Sequence, residues 1–239
     1  IIFTMRSTCP SSKKSCCGSH NLKGGSKMRI KGSSMQIITT VVCVLPIILS
    51  MTLYQQLPAK VAVHWDIAGN PDNYVPKAVA AFVFPLCLAA LNVIVHIVIN
   101  NDPKKMNVVP VLRNIGLWTI PALSLILMPI TLFKALGADL PIQTIAPSLV
   151  GMLLVVIGNY LPKSKQNYTV GIKLPWTLSS QENWNRTHHV AGYLWILGGA
   201  LMILTSFLKA NVGIAIVAII VLIVAVPAIY SFSLFKKGV

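Results

Sequence analysis

The chain has 239 residues, 55% of them hydrophobic and only 10% charged, against roughly 25% charged in an ordinary soluble domain. That composition excludes a water-soluble globular enzyme. Twenty Lys and Arg stand against five Asp and Glu, a formal charge of +15, but the cations fall in short gaps between apolar runs and build no basic stripe interleaved with aromatics, so direct nucleic-acid binding is not expected.

Residues 1–34 are rich in Ser, Gly and Lys and hold seven of the twenty cations. They are predicted to be a disordered basic tail that at most follows anionic lipid by charge. The chain begins at Ile1, while Met28 and Met35 stand just before the first apolar run, so the tail is read as a candidate non-native segment. Cys9, Cys16 and Cys17 lack metal-site spacing, and Cys43 and Cys87 lie in apolar runs; all five are read as reduced, with no metal and no cofactor expected.

Six windows of about 20 apolar residues can cross a bilayer as helices. They are Met35–Leu53, Ala78–Ile99, Asn114–Leu136, Ile142–Leu161, Val190–Leu208 and Val212–Phe235, and none contains Asp, Glu or Arg. Runs such as Val212–Val226 show no period of two, which argues against a β-barrel. The predicted class is an all-α membrane protein of about six spans. Pro46, Pro85, Pro121, Pro129, Pro147 and Pro227 fall inside the spans, where packed membrane helices tolerate them as kinks. In the second span His96 lies one turn beyond Asn92 on one face, as a packed hydrogen-bonding pair or a proton relay.

The cations alternate from gap to gap. The tail, the second and fourth gaps and the C-terminus hold sixteen, whereas the intervening gaps hold only Lys60, Lys77, Lys134 and Lys209. Since cytoplasmic segments carry the excess, both termini are expected to be cytoplasmic. Lys134 and Lys209, at or just past helix ends, can snorkel.

The polar information is concentrated in two loops, one expected outside and one in the cytoplasm. In the outer loop Val61, Val63 and Trp65 alternate with Ala62 and His64, suggesting a short strand, and Gly69-Asn70-Pro71-Asp72 is turn chemistry. His64 and Asp66, two apart on a strand, share a face and could pair, contact a ligand or bind a cation, though no third metal ligand is evident. In the cytoplasmic loop Ser179 and Glu182 form a capping-box pattern that predicts a helix running into the fifth span. Glu182 and Arg186 are spaced to pair; Trp184 and His188 share a face, with His189 turned about 100° away. The adjacent histidines therefore cannot both ligate one metal. The bland reading of this loop is an amphipathic helix on the membrane surface, its Tyr160, Tyr168, Trp176 and Trp184 serving as an interfacial belt.

No nucleophile elbow, phosphate-binding glycine loop or carboxylate pair occurs, so no catalytic residue is assigned and the chain is read as a non-enzyme. The alternatives are a small-molecule or peptide transporter, which should show related halves and polar broken helices, and a membrane enzyme using His188 or His189 as a general base. Gly151 and Gly158, seven apart on one face, could permit close helix packing under any reading.

At these loops the sequence resembles the SdpI-like immunity family of multi-pass bacterial membrane proteins. The outer loop resembles the domain of unknown function often placed at the front of such proteins, in Leu57-Pro58, Val61, Val63-His64-Trp65, Gly69, Pro71-Asp72, Tyr74 and Lys77. The cytoplasmic loop resembles the family's central motif in Asn167, Gly171-Ile172, Pro175-Trp176-Thr177-Leu178, Trp184, Thr187-His188 and Gly192. Three positions depart from the pattern: Lys173-Leu174 stands where Arg-Thr is expected, and Ala62 where proline is common.

The resemblance implies a bacterial cell-membrane protein that gives resistance to a secreted toxic peptide, with the lipid bilayer and that peptide as partners. In the family's best-known system a cytoplasmic transcriptional repressor is a further partner, and the resemblance implies such a relay as a second expectation. The toxin-binding candidates are His64, Trp65, Asp66, Asp72 and Tyr74, with Trp65 and Tyr74 as apolar anchors beside an adjoining helix groove. Asn167, Gly171, Lys173, Pro175, Trp176, Thr177, Trp184, Thr187 and His188 are the cytoplasmic motif, signalling or structural. The organisation expected is a tail over 1–34, two spans and the outer loop over 35–101, the third span and start of the fourth over 102–149, and the rest over 150–239.

Overall fold

The computed structural model describes residues 24–66, 69–208 and 212–239, with side chains from residue 34 onward except at Val212. Long apolar runs satisfy their own backbone only as helices, and six helices among the described residues are long and apolar enough to cross a membrane: Ser34–Leu53, Val79–Asn101, Pro110–Ala135, Ile142–Lys163, Gln181–Leu208 and Gly213–Lys236. They match the six expected windows. The protein is an all-α multi-pass membrane protein with a single small sheet among these residues.

Helix α1 (Gly24–Val44) starts well before the first span. Residues 24–34, expected to be unstructured, are thus helical backbone, because a helix nucleated in an apolar run propagates into a polar flank at little cost. Residues 1–23, with Cys9, Cys16 and Cys17, lie outside the described residues, as does Lys209. A turn at Leu45 separates α1 from α2 (Pro46–Leu53), where Pro46 takes a first-turn position that needs no N–H. Strands β1 (Lys60–Trp65) and β2 (Pro71–Pro76) form an antiparallel hairpin. The next helix opens with a π-helical turn at Val79–Val83 and continues as α3 (Phe84–Asn101). Pro85 cannot donate to the carbonyl four residues back, and the turn ahead of it widens.

The remaining helices are α4 (Pro110–Ala135), α5 (Ile142–Tyr160), the short α6 (Pro175–Ser179), α7 (Gln181–Leu208) and α8 (Val212–Lys236). Helices α1, α3 and α4 pack as one group; α7 packs between α5 and α8 as a second. Cys43, Ala89 and Ile120 lie at the centre of the first group, and Met202, Ile219 and Ile223 between α7 and α8.

Glycine decides the second group. A Cβ on Gly151 would stand 2.6 Å from the Gly199 carbonyl oxygen, and one on Gly158 would stand 2.8 Å from the Gly192 carbonyl oxygen. Two glycines seven apart on α5 thus meet two seven apart on the antiparallel α7, and the backbones touch where any side chain would hold them apart.

His96 and Asn92 face α1. The Thr39 hydroxyl lies 2.8 Å from His96 Nε2 and accepts from Asn92 Nδ2 at 3.0 Å. This is the packed hydrogen-bonding role, and it pins α1 to α3.

Candidate functional site

The hairpin and the motif loop lie at opposite ends of the bundle, since one connects the first two spans and the other the fourth and fifth. At the hairpin end, fully buried Val61 packs with Leu57, Ala80 and Leu132, flanked by Val63 and Val75. The alternation of a strand seats the valines inward and leaves His64 exposed. Lys77, just after β2, donates to the Tyr54 carbonyl at 3.2 Å and sits 4.6 Å from its ring centroid, fastening the hairpin base.

The turn is organised by Asp66. Its carboxylate accepts the Asn70 N–H at 2.7 Å and Asn70 Nδ2 at 3.2 Å, while its own N–H donates to the Asn70 carbonyl at 2.8 Å. Gly69 has φ +84°, a left-handed turn position suited to glycine. Of the partners open to His64, the structure shows Asp72: His64 Nδ1 lies 2.6 Å from Asp72 Oδ1. Register shifts on either side of His64 displace the simple alternation on which the expectation rested.

The five hairpin candidates divide by exposure. His64, Asp66 and Asp72 are exposed and Tyr74 is 50% exposed, whereas Trp65 is half-buried with its indole N–H enclosed. Beside the turn lies a cleft of about 520 Å³ lined by Gly69, Asn70, Lys134, Asp139, Leu140 and Gln143 among others. The Lys134 ammonium, rather than reaching outward, donates to the Leu140 carbonyl at 3.1 Å.

At the motif end most of the family residues converge. Trp184 and His188, one turn apart on α7, are both fully buried and stacked with ring centroids 3.9 Å apart. Trp184 Nε1 donates to the Ser164 carbonyl at 2.9 Å. His188 Nδ1 lies 2.7 Å from the Trp184 carbonyl, and Nε2 accepts the Ile172 N–H at 2.9 Å. An acceptor at Nε2 and a carbonyl at Nδ1 define the neutral tautomer with its proton on Nδ1. Both ring nitrogens are engaged, so His188 is not poised as a general base; His189 is exposed, with an edge contact to Tyr193.

Gly171 has φ +118°, and a Cβ there would stand 2.4 Å from His188 Nε2. Only glycine brings the chain over the imidazole. Asn167 Oδ1 accepts the N–H groups of Thr169 at 3.0 Å and Val170 at 2.7 Å, and its Nδ2 donates to the Lys165 carbonyl at 2.9 Å. Pro175 opens α6, where Thr177 Oγ1 accepts the Leu174 N–H at 2.9 Å and has the Ile172 carbonyl at the same distance.

Other motif residues point elsewhere. Trp176 packs on Phe232 and Phe235 of α8 at centroid distances of 5.2 and 5.9 Å. Thr187 donates to Asn183 Oδ1 at 3.1 Å, and Asn183 Nδ2 donates to the Ser231 carbonyl at 3.0 Å, tying α7 to α8. Lys173 is exposed and donates to the Thr169 carbonyl at 3.1 Å. The cap of α7 is Ser180, whose Oγ accepts the Asn183 N–H at 3.2 Å; the expected Ser179 instead donates back to the Trp176 carbonyl. Glu182 and Arg186 pair as expected.

Asp102, Gln166 and Ser164 were not legible as part of this site. Asp102, buried just past α3, accepts from Tyr168 N at 3.0 Å and Thr169 Oγ1 at 2.9 Å. Its sequence signal was that an acid stands in a gap otherwise marked by cations.

Six bilayer-length helices with a hairpin at one end and a buried hydrogen-bonded loop at the other define a multi-pass membrane protein. The SdpI/YfhL protein family matches residues 163–231, the motif loop and last two spans, and the domain of unknown function DUF1648 matches residues 41–89, the hairpin and its flanking helices. "Immunity protein SdpI" of Bacillus subtilis (strain 168) is 26% identical over 202 residues, covering 84% of this chain and 96% of that protein. Both ends of the chain are thus similar to SdpI-like immunity proteins. No solved structure matches it.

Proposed function

We propose that this protein gives a bacterial cell resistance to a secreted toxic peptide by binding the peptide at the β-hairpin. The observation that carries the reading is that likeness to the immunity protein extends over almost all of that relative's length, while the matched families include the two ordered elements outside the apolar spans. The excess of cations at the motif end supports a cytoplasmic motif loop, cytoplasmic termini and an outward hairpin. Tyr74, His64 and Asp72 offer an exposed aromatic and a hydrogen-bonding pair to a peptide arriving from outside. Trp65 supports them from below, its indole turned into the hairpin's packing. Held there, an apolar peptide is kept from permeabilising the bilayer.

A relay to a cytoplasmic repressor is the finer part of the proposal. It would use the motif-loop surface around Trp176 and Lys173, and needs different peptide affinities for two states of the loop.

The test is survival of a sensitive bacterium expressing the full chain at matched membrane levels and challenged with secreted peptide toxins. Protection that is lost in Asp72→Ala/Tyr74→Ala and kept in His189→Ala supports the reading. Failure of the intact chain to protect against any of them sinks it.

A further inference from the structure

Asp102 occupies a position that local preferences disfavour. It directly follows the last residue of α3, where the helix end carries partial negative charge. Its residue is 4% exposed, and burial strips a carboxylate of hydration. Among the described residues it forms no ion pair. Its compensation is three donors: Lys104 N–H at 2.7 Å, Tyr168 N–H at 3.0 Å and the Thr169 hydroxyl at 2.9 Å. Two of the three belong to the motif loop.

The neighbours of Asp102 repeat the tie. Lys104 Nζ donates to Gln166 Oε1 at 2.7 Å, Asn107 Nδ2 donates to the Gln166 carbonyl at 2.8 Å, and Lys165 N–H donates to the Asn107 carbonyl at 3.0 Å. At its other end the same helix begins directly after β2 and runs without a break to Asn101. Hairpin and Asp102 are therefore the two ends of one helix, which the His96–Thr39 contact holds against α1.

We propose that Asp102 is the positioning residue that couples the hairpin to the motif loop. It keeps residues 164–169 in register with the end of α3, so that a displacement at the hairpin arrives in the loop as a movement of the Asp102 carboxylate. The use of this coupling to report peptide rests on the proposed immunity function; the coupling itself does not.

The experiment is residue-resolved hydrogen exchange on the full chain in phospholipid nanodiscs. The loop carries its own control, because the Thr169 and Val170 amides donate to Asn167 and not to Asp102. Asp102→Asn should speed exchange at Tyr168 about tenfold while leaving Thr169 and Val170 within about twofold. A hairpin-end perturbation, Lys77→Ala, should change Tyr168 exchange in the wild-type background and lose that effect in the Asp102→Asn background. If all three amides speed up together in Asp102→Asn, or if Lys77→Ala acts equally in both backgrounds or in neither, the coupling role is overturned. Should Asp102→Asn not reach the membrane, Thr169→Val removes the hydroxyl donor to Asp102 and should speed exchange at Tyr168 more than at Val170; an equal change at the two, or none at Tyr168, overturns the role. Survival assays separate the two ideas: a chain that couples but does not protect loses the immunity reading and keeps this one.

Discussion

The Ile172 N–H donates to Nε2 of His188 across a gap that exists because Gly171 has no side chain. The motif's glycine and histidine are thus one device: the glycine brings the backbone down, and the stacked imidazole receives it. Trp184 beneath the imidazole completes the layer and fixes the start of the loop through Ser164.

Gly171→Ala combines a positive φ with a Cβ 2.4 Å from the His188 ring. Strain of this kind costs about 1–3 kcal/mol. The variant should unfold at lower temperature in detergent, followed by tryptophan fluorescence; an unchanged midpoint would mean the loop is free to move away from α7.

His188→Ala and His189→Ala should separate cleanly although the residues are adjacent. The first orphans the Ile172 N–H and leaves a void under the loop, at a cost of about 3 kcal/mol. The second removes an exposed ring, and surface changes of that kind stay within about 0.5 kcal/mol. Chemical denaturation of the two variants in matched micelles checks the difference.

Gly158→Leu should separate α5 from α7, because its Cβ would meet the Gly192 carbonyl oxygen at 2.8 Å and the Ile196 backbone nitrogen at 3.0 Å. Overpacking costs about 1–3 kcal/mol and here cannot be relieved by side-chain rotation, since the obstacles are backbone. Reduced yield of folded protein in the membrane fraction is the expected result.

The proposed orientation is open to a direct check. With the native cysteines replaced, Asn73→Cys on the hairpin should react with a membrane-impermeant maleimide on intact cells. Asn185→Cys, exposed near the start of α7, should react only after lysis. The opposite pattern would place the hairpin inside and remove the basis for peptide binding there.

The number and approximate ends of the spans were legible because each depends on a property of its own segment. Twenty apolar residues must form a helix in lipid whatever their neighbours do, and the strand alternation and turn residues of the hairpin are equally local. One boundary moved by a single residue. Ser180 displaced Ser179 as the cap because α6 takes Ser179 as its last residue and its hydroxyl turns back to Trp176.

Pairings across the fold were decided only by the assembled structure. Trp184 and His188 could be placed on one face from their spacing, but nothing in α7 specified that Ile172, Ser164 and Gly171 would close over them. The glycines at 151 and 158 were visible as a pair, whereas their counterparts at 199 and 192 emerged only when the helices met. His64 found Asp72 rather than Asp66 because the hairpin's register shifts fold the second strand back beside it. Composition and periodicity determine what each segment must do with its own backbone; which buried polar group satisfies which other depends on distances between segments far apart in the chain, and those exist only after packing.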